Sequence, residues 1–281
     1  MAKIVVITHE FDHLFDRRFF RKPTSRYFIH GVLRELERRG HSWVVAKGVE
    51  IRPEGDVALL HVDATKVPED YLAFARTYPA CMNLGAADIS KHHFSTAVVK
   101  RDDRWSGPVI IKSVLNHGGA PERRLNRRAR RAGRPDPFPG TICLEDYKIY
   151  ERPSEVPANL FDDPAILVER FLPEREPDGY AIRHWIFLGS FEASARCISS
   201  SEIIRGSDIR GHNPTNIPEE LRARRQELGL DYGKLDFVVH DDRVHLLDAN
   251  KTVGSAPPTE DYQSTYEGMA DGFEAWLKRY T

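Results

Sequence analysis

The periodicity of the chain changes at Lys91, and that change restricts the fold more than any single motif. Before it, short β-branched runs alternate with helical patterns: KIVVIT (3–8), a helical period from about Ser25 to Arg39 that stops at Gly40, SWVVAKG (42–48), DVALLHVDA (56–64), and PEDYLAFARTYP (68–79) with Pro68 at a first helical position. Such alternation predicts parallel strands joined by helices, a small α/β domain over 1–90. After Lys91 the apolar runs come as hairpins: GPVIIKSVL (107–115), TICLEDYKIY (141–150), AILVERFL (165–172), YAIRHWIFLG (180–189), SFEASARCI (190–198), and LDFVV with HLLDAN near the end. Helical patterns fall near 90–100, over 217–228 and from about Thr259, where Tyr262, Tyr266, Met269, Phe273, Trp276, Leu277 and Tyr280 form a core-packing stripe. The expected class is α/β (α+β), a parallel part followed by a mostly antiparallel one.

With 281 residues, 41% of them hydrophobic and 30% charged, the chain can bury one large core or two to three smaller ones. Its formal net charge is −1, yet the segment 121–135, PERRLNRRARRAGRP, carries +6, leaving −7 for the rest. With Gly and Pro inside it, this segment reads as a solvated loop for most of its arginines, with a phosphate or nucleic-acid contact as the alternative. It lacks interleaved aromatics, so nucleic acid is not expected as a partner. Cys81, Cys143 and Cys197 are odd in number and lack CxxC spacing, which argues against a disulfide framework or a cysteine zinc site. The opening MAKIVVIT lacks the features of a signal peptide and no apolar run approaches spanning length, so a cytoplasmic protein without membrane segments is expected.

The stretch 235–254, LDFVVHDDRVHLLDANKTVG, places Asp236, Asp248 and Asn250 where core side chains belong. Strand side chains alternate between faces, so a two-residue turn at Asp241 and Asp242 pairs Asp236 with Leu247, and a three-residue turn over 241–243 pairs it with Asp248. The second register is the expectation. Like charges placed opposite one another need a cation between them, and two carboxylates with an amide two residues on suit Mg²⁺. A solvated edge hairpin with ordinary acids is the alternative; the adjacent Leu246 and Leu247 argue against it.

Other features are weaker singly. A Gly189–Ser190 turn pairs Arg183 with Arg196, which suggests an anion between them, or else ordinary acidic partners. Lys112 ends an apolar strand before Gly118 and Gly119, where a lysine and open backbone can approach a phosphate. Lys148 is similar. In 165–176, the strand end from Glu169 through Arg170, Phe171 and Leu172 can meet an adenine edge, and Glu176 can meet ribose hydroxyls; both acids could equally be surface residues. HEFDH (9–13) matches H-E-x-x-H but stands at a strand end, so zinc is not expected; His9, His61 and Asp63 there could line a substrate pocket or be solvated.

Neither common phosphate-loop pattern occurs. The ordered set Lys91, PVIIK with its glycine-containing loop, ILVERFLPERE, the arginine-bearing strand pair, LDFVV and LLDAN resembles the ATP-grasp superfamily, which includes D-alanine–D-alanine ligase, glutathione synthetase and the ribosomal-protein glutamate ligases. That resemblance implies an ATP-grasp region over 91–281 with lobes of about 91–165 and 166–281. It also implies ATP phosphates on Lys91, Lys112 and Lys148 with Gly118 and Gly119, adenine on Glu169 to Leu172, and ribose on Glu176. The metal, Mg²⁺ with Mn²⁺ as an alternative, would sit on Asp236, Asp248 and Asn250. Arg183 and Arg196 would face the reacting phosphoryl group, and His9, His61, Asp63 and Lys251 the substrate.

Three departures stand out: Asp248 where relatives usually carry Glu, a long arginine-rich segment after Lys112, and KTVG after Asn250. The implied activity is an ADP-forming ligase joining a small-molecule or peptide carboxylate to an amine or thiol. A small-molecule kinase or a non-catalytic nucleotide-binding module are the alternatives, and the oligomeric state is left open.

Overall fold

The computed structural model describes residues 1–13, 15, 27–144, 146–205, 208–254 and 262–280. Strands β1 (Lys3–Thr8), β2 (Ser42–Lys47), β3 (Val57–Leu60) and β4 (Cys81–Met82) form one sheet, ordered β2-β1-β3-β4 with every pairing parallel. Helix α1 (Ile29–Arg38) covers one face and α2 (Glu69–Ala75) the other. Ile4 and Val6 of β1 join Ile29, Val32, Leu33 and Leu36 of α1, and Val5 and Ile7 join Tyr71, Leu72 and Ala75 of α2. A strand buried on both faces needs an unbroken apolar run, which is why KIVVIT shows no polar alternation.

A second sheet, ordered β6-β5-β7, is antiparallel and consists of β5 (Val109–Ser113), β6 (Lys148–Tyr150) and β7 (Ile166–Arg170). Strand β7 thus carries the first lobe's sheet past residue 165, the expected division. Two helices belong to this region, the short α3 (Lys91–Phe94) and α4 (Ala120–Arg131). The segment expected as an arginine-rich loop is therefore mostly helix. Pro121 occupies its first turn, Arg, Leu and Ala are strong helix formers, and Gly133 lies just past the end with φ +68°. The breakers that suggested a loop sit at its ends.

The third sheet is the largest: β8 (Glu174–Glu176), β9 (Gly179–Leu188), β10 (Phe191–Ser199), β11 (Ile209–Pro214), β12 (Tyr232–His240) and β13 (Arg243–Asn250), ordered β11-β10-β9-β12-β13 with β8 also on β9. One face packs Trp185, Phe187, Leu235 and Phe237 against Phe94 of α3 and Leu221 of α5 (Glu219–Glu227). The other packs Leu188 and Tyr232 against Met269, Phe273 and Trp276 of α6 (Gln263–Leu277), which also touches α1. Tyr280 falls outside this core at 52% exposed, and the expected helix start at Thr259 lies outside the described residues. Among the described residues no helix is long and apolar enough to cross a membrane.

Helix α6 rests on the β9–β10 turn backbone to backbone. A Cβ on Gly272 would run into the Leu188 carbonyl and crowd Phe191, and Gly189, at φ +55°, faces the Gly272 carbonyl in return. Gly272→Ala is expected to cost about 1–3 kcal/mol by overpacking, read as a lowered chemical-denaturation midpoint with an unchanged slope.

Candidate active site

Asp241 and Asp242 both have positive φ, +50° and +58°, and His240 pairs with Arg243. The hairpin therefore closes with a two-residue turn of the type I′ kind, and the expected three-residue turn is not formed. Asp236 nevertheless stands opposite Asp248. The register slips between Asp236 and Phe237: Phe237 pairs with Leu246, Asp236 with Asp248, and Leu247 is the extra residue of a β-bulge. The opposition of the two acids is as expected, and a bulge causes it.

On its other side Asp236 pairs with His184 of β9, and Lys234 pairs with Asn250. Alternation puts Lys234, Asp236, His184, Asp248 and Asn250 on one face. Lys234 Nζ is 2.9 Å from Asp236 Oδ1 and His184 Nε2 is 3.6 Å from the same oxygen. Burial pushes the Asp236 carboxyl up, but the Lys234 charge and bond first, with the His184 ring and the Lys91 charge beside it, hold it below the ordinary aspartate value; burial lowers the His184 imidazole itself, so Lys234 and Lys91 are the standing cations. On Asp248, Lys91 Nζ lies 3.2 Å from Oδ1 and donates also to Leu115 O at 3.0 Å; this lysine side chain is 2% exposed.

Lys112 and Glu169 belong to the small sheet. Lys112 pairs with Leu167 and Glu169 with Ile110, which places both side chains on one face, with Lys112 Nζ 2.7 Å from Glu169 Oε2. Burial alone would raise the Glu169 carboxyl; the Lys112 charge, bonds from Lys112 and Ser95, and the Lys91 charge hold it below the ordinary value. Tyr147 joins the two sheets electrostatically. Burial first and the Asp248 charge next raise its phenol, with Lys112 opposing and Glu169 adding. Lys91, Lys112, Glu169, Asp236, Asp248 and Asn250 are thus brought to one cleft.

Lys234, His184 and Tyr147 belong to the same cleft and go unread in the sequence. Lys234 precedes Asp236 by two residues, so alternation alone could have supplied it. His184 depends on the β9–β12 register, which no local pattern encodes.

Four expected residues lie elsewhere. Phe237, not Asp236, pairs with Arg183, so Arg183 points to the opposite face, and Arg196, directly across from it, follows. The anion between the two arginines is Glu174, which accepts from Arg183 Nη2 at 2.8 Å, Arg196 Nε at 2.6 Å and Val239 N at 3.2 Å. Glu176 pairs with Arg196 on that same side. Lys148 pairs with Ile111, hence on the face away from Lys112, where its Nζ lies 4.7 Å over the Tyr150 ring.

The glycine turn serves packing directly. His117, Gly118 and Gly119 have φ of +46°, +61° and +79°, and a Cβ on Gly118 would collide with the Leu144 carbonyl. In the expected adenine stretch, Arg170 N and Phe171 N donate to Ala97 O and Pro108 O at 2.8 and 2.9 Å, and Leu172 is 8% exposed.

At the carboxyl ends of β1 and β3, His9 and His61 are buried, and burial lowers both imidazoles to about 4, so both are neutral at pH 7. Asp63 accepts from Tyr27 Oη at 2.9 Å and Thr252 Oγ1 at 2.6 Å, and pairs with Arg124 of α4. Lys251 donates to Thr65 O at 3.2 Å and Ala86 O at 2.9 Å, and burial lowers it to about 7. Lys251 and Thr252, immediately after Asn250, therefore fasten the acid-bearing strand to the first sheet.

Among the described residues no group of three His, Cys, Asp or Glu side chains converges on a metal position. The cleft offers two opposed carboxylates and the Asn250 carboxamide, all oxygen donors. That set fits a hard cation that takes its remaining ligands from phosphate and water, the usual manner of Mg²⁺.

No family model matches the sequence, and no curated protein matches it. Solved structures match nearly end to end. The RimK domain ATP-grasp protein from Sphaerobacter thermophilus is 12% identical, with 96% of this chain and 99% of that one covered at a TM-score of 0.51. D-alanine–D-alanine ligase from Bacillus anthracis, complexed with ATP, is 12% identical over 100% and 99% at 0.52. The ATP-grasp ligase PsnB, complexed with a phosphomimetic precursor variant, Mg and ADP, is 11% identical over 99% and 98% at 0.55.

Proposed function

We propose that this chain, whose fold is that of the ATP-grasp proteins, is an ATP- and Mg²⁺-dependent ligase that activates a carboxylate as an acyl phosphate and joins it to an amine or thiol. The observation that carries this reading is the Asp236–Asp248 pair, held by Lys234 and Lys91, sharing a cleft with the Lys112–Glu169 pair. Structural neighbours named as complexes with ATP, or with Mg and ADP, support the choice of nucleotide and cation.

In this scheme Lys91 and Lys112 hold the outer phosphates, and the carbonyls from Glu169 onward with the Leu172 amide meet the adenine. Asp236, Asp248 and Asn250 hold the cation. Bound there, Mg²⁺ would neutralise the phosphate charge. A substrate carboxylate oxygen attacks the γ-phosphorus and ADP leaves; an amine or thiol then attacks the acyl carbon, phosphate leaves, and the nucleophile's proton passes to solvent. Lys234 lies where charge develops beside the acids. Arg183, Arg196, Glu176 and Lys148 have no part in it, because the strand registers direct them away from the cleft.

Incubation with ATP, Mg²⁺ and a panel of carboxylates and amines is expected to release ADP and phosphate in equal amounts, and hydroxylamine should trap the acyl phosphate as a hydroxamate. A stable phosphorylated product would mark a kinase and overturn the ligase reading. Absence of nucleotide binding would overturn both.

A further inference from the structure

Six arginines in and just after helix α4 fall into two sets. Arg124 pairs with Asp63, Arg128 donates to Phe11 O at 3.0 Å and lies 3.8 Å from Asp12, and Arg130 is bound in two-pronged fashion by Asp136 at 2.6 and 2.7 Å. Arg127, Arg131 and Arg134 are exposed and have no acidic partner among the described residues. Like charges four residues apart destabilise a helix. Here the helix is secured by its opposite face, where Leu125 and Ala129 are buried. Nothing in that packing requires arginine on the outer face.

The position of this face matters as much as its charge. Helix α4 follows directly from the turn Asn116–Gly119, whose neighbour Leu115 accepts from the cleft lysine Lys91, and its inner arginines reach the ends of β1 and β3. The cationic line therefore starts at the rim of the proposed active site and runs outward from it. Apart from 121–135, the chain carries −7, so the excess of positive charge lies in this segment.

We infer that the outer face of α4 binds an extended acidic peptide, and that this peptide is the carboxylate substrate of the adjacent cleft. The second half of that statement rests on the ligase reading; the first does not. The spacing suits a strand: Arg127 and Arg131 are separated by about 6 Å along the helix axis, and alternate side chains of an extended peptide recur at roughly 6.6 Å. A peptide with acids at every second position would meet successive arginines. Nucleic acid is disfavoured by the absence of stacking aromatics within the line.

The test uses a fluorescein-labelled peptide of alternating Glu and Ala, its Gln-for-Glu counterpart, and an RNA oligonucleotide of equal charge, each titrated with full-length protein in low salt. The acidic peptide is expected to bind at least tenfold more tightly than the Gln peptide, and the R127Q/R131Q/R134Q variant to lose about tenfold, as several exposed pairs together should. Raising salt should abolish the difference. These side chains are exposed, so an unchanged melting temperature should show that the variant folds. Equal binding of the two peptides, an unaffected variant, or tighter binding of RNA would overturn the inference. Because binding needs no turnover, a protein that binds the acidic peptide but never forms ADP would sink the ligase reading and leave the surface standing. If the ligase reading holds, the variant should raise KM for the peptide while leaving hydroxamate formation from free amino acids unchanged.

Discussion

Asp236→Asn should reduce ADP release by about 10²–10³-fold, the usual consequence of removing one electrostatic partner from a preorganised site. The substitution is chosen because it keeps the shape. Asn can still stand opposite Asp248 and beside His184, so the bulge and both strand pairings persist. What disappears is the charge that Lys234 and Lys91 are arranged to stabilise. Without it Lys234 faces a neutral amide, and the cation of the proposed chemistry loses one of two carboxylates. Lys234 is itself 24% exposed and can turn toward water, so the fall in stability should stay well below that of a fully buried pair. Measuring ADP release beside thermal melting separates the two effects. A rate within tenfold of the parent in a stable variant would remove Asp236 from the reaction.

How much of this site could be read from the residues depends on the range of the interaction involved. The parallel sheet was legible because β1 is buried on both faces and its apolar run is continuous. The Arg183–Arg196 pairing was legible too, since a glycine-led two-residue turn fixes it locally. Which face those arginines take was not. It depends on Phe237 lying opposite Arg183, a contact across more than fifty residues that no turn chemistry reports. The Asp236–Asp248 pair shows the intermediate case: alternation and an apolar doublet predict the opposition, but the extra residue sits in the strand and not in the turn. An apolar doublet before an acid is the trace a bulge leaves, because Leu246 stays in the core register while Leu247 is unpaired. In α4, Gly and Pro act as breakers only at the ends of the segment, and its interior is helix.

Lys112→Met tests the other side of the cleft, and its effect on stability should be the largest of any single change there. Glu169 is 3% exposed and its Oε2 rests 2.7 Å from the Lys112 ammonium. Removing the lysine leaves a buried carboxylate without its principal cation, a loss of about 3–5 kcal/mol. The pH dependence identifies the cause. In the parent the Glu169 carboxyl is held below its ordinary value, so its stabilising contribution is present above the unfolded pKa and lost as pH falls through the folded one. In the variant burial is left with only weaker opposition and the carboxyl should rise above its unfolded value. Its penalty is then greatest at neutral pH and is relieved on acidification. Denaturation midpoints measured from neutral to acidic pH should therefore move in opposite directions for the two proteins as far as this group is concerned. The double variant Lys112→Met, Glu169→Gln should recover most of the lost stability, since no buried charge remains unpaired. It should not recover nucleotide affinity, which we expect to fall at least tenfold in both variants because the phosphates lose a direct cation. If the double variant bound ATP as the parent does, Lys112 would be a structural partner of Glu169 and nothing more, and the outer phosphates would have to be held by Lys91 without it.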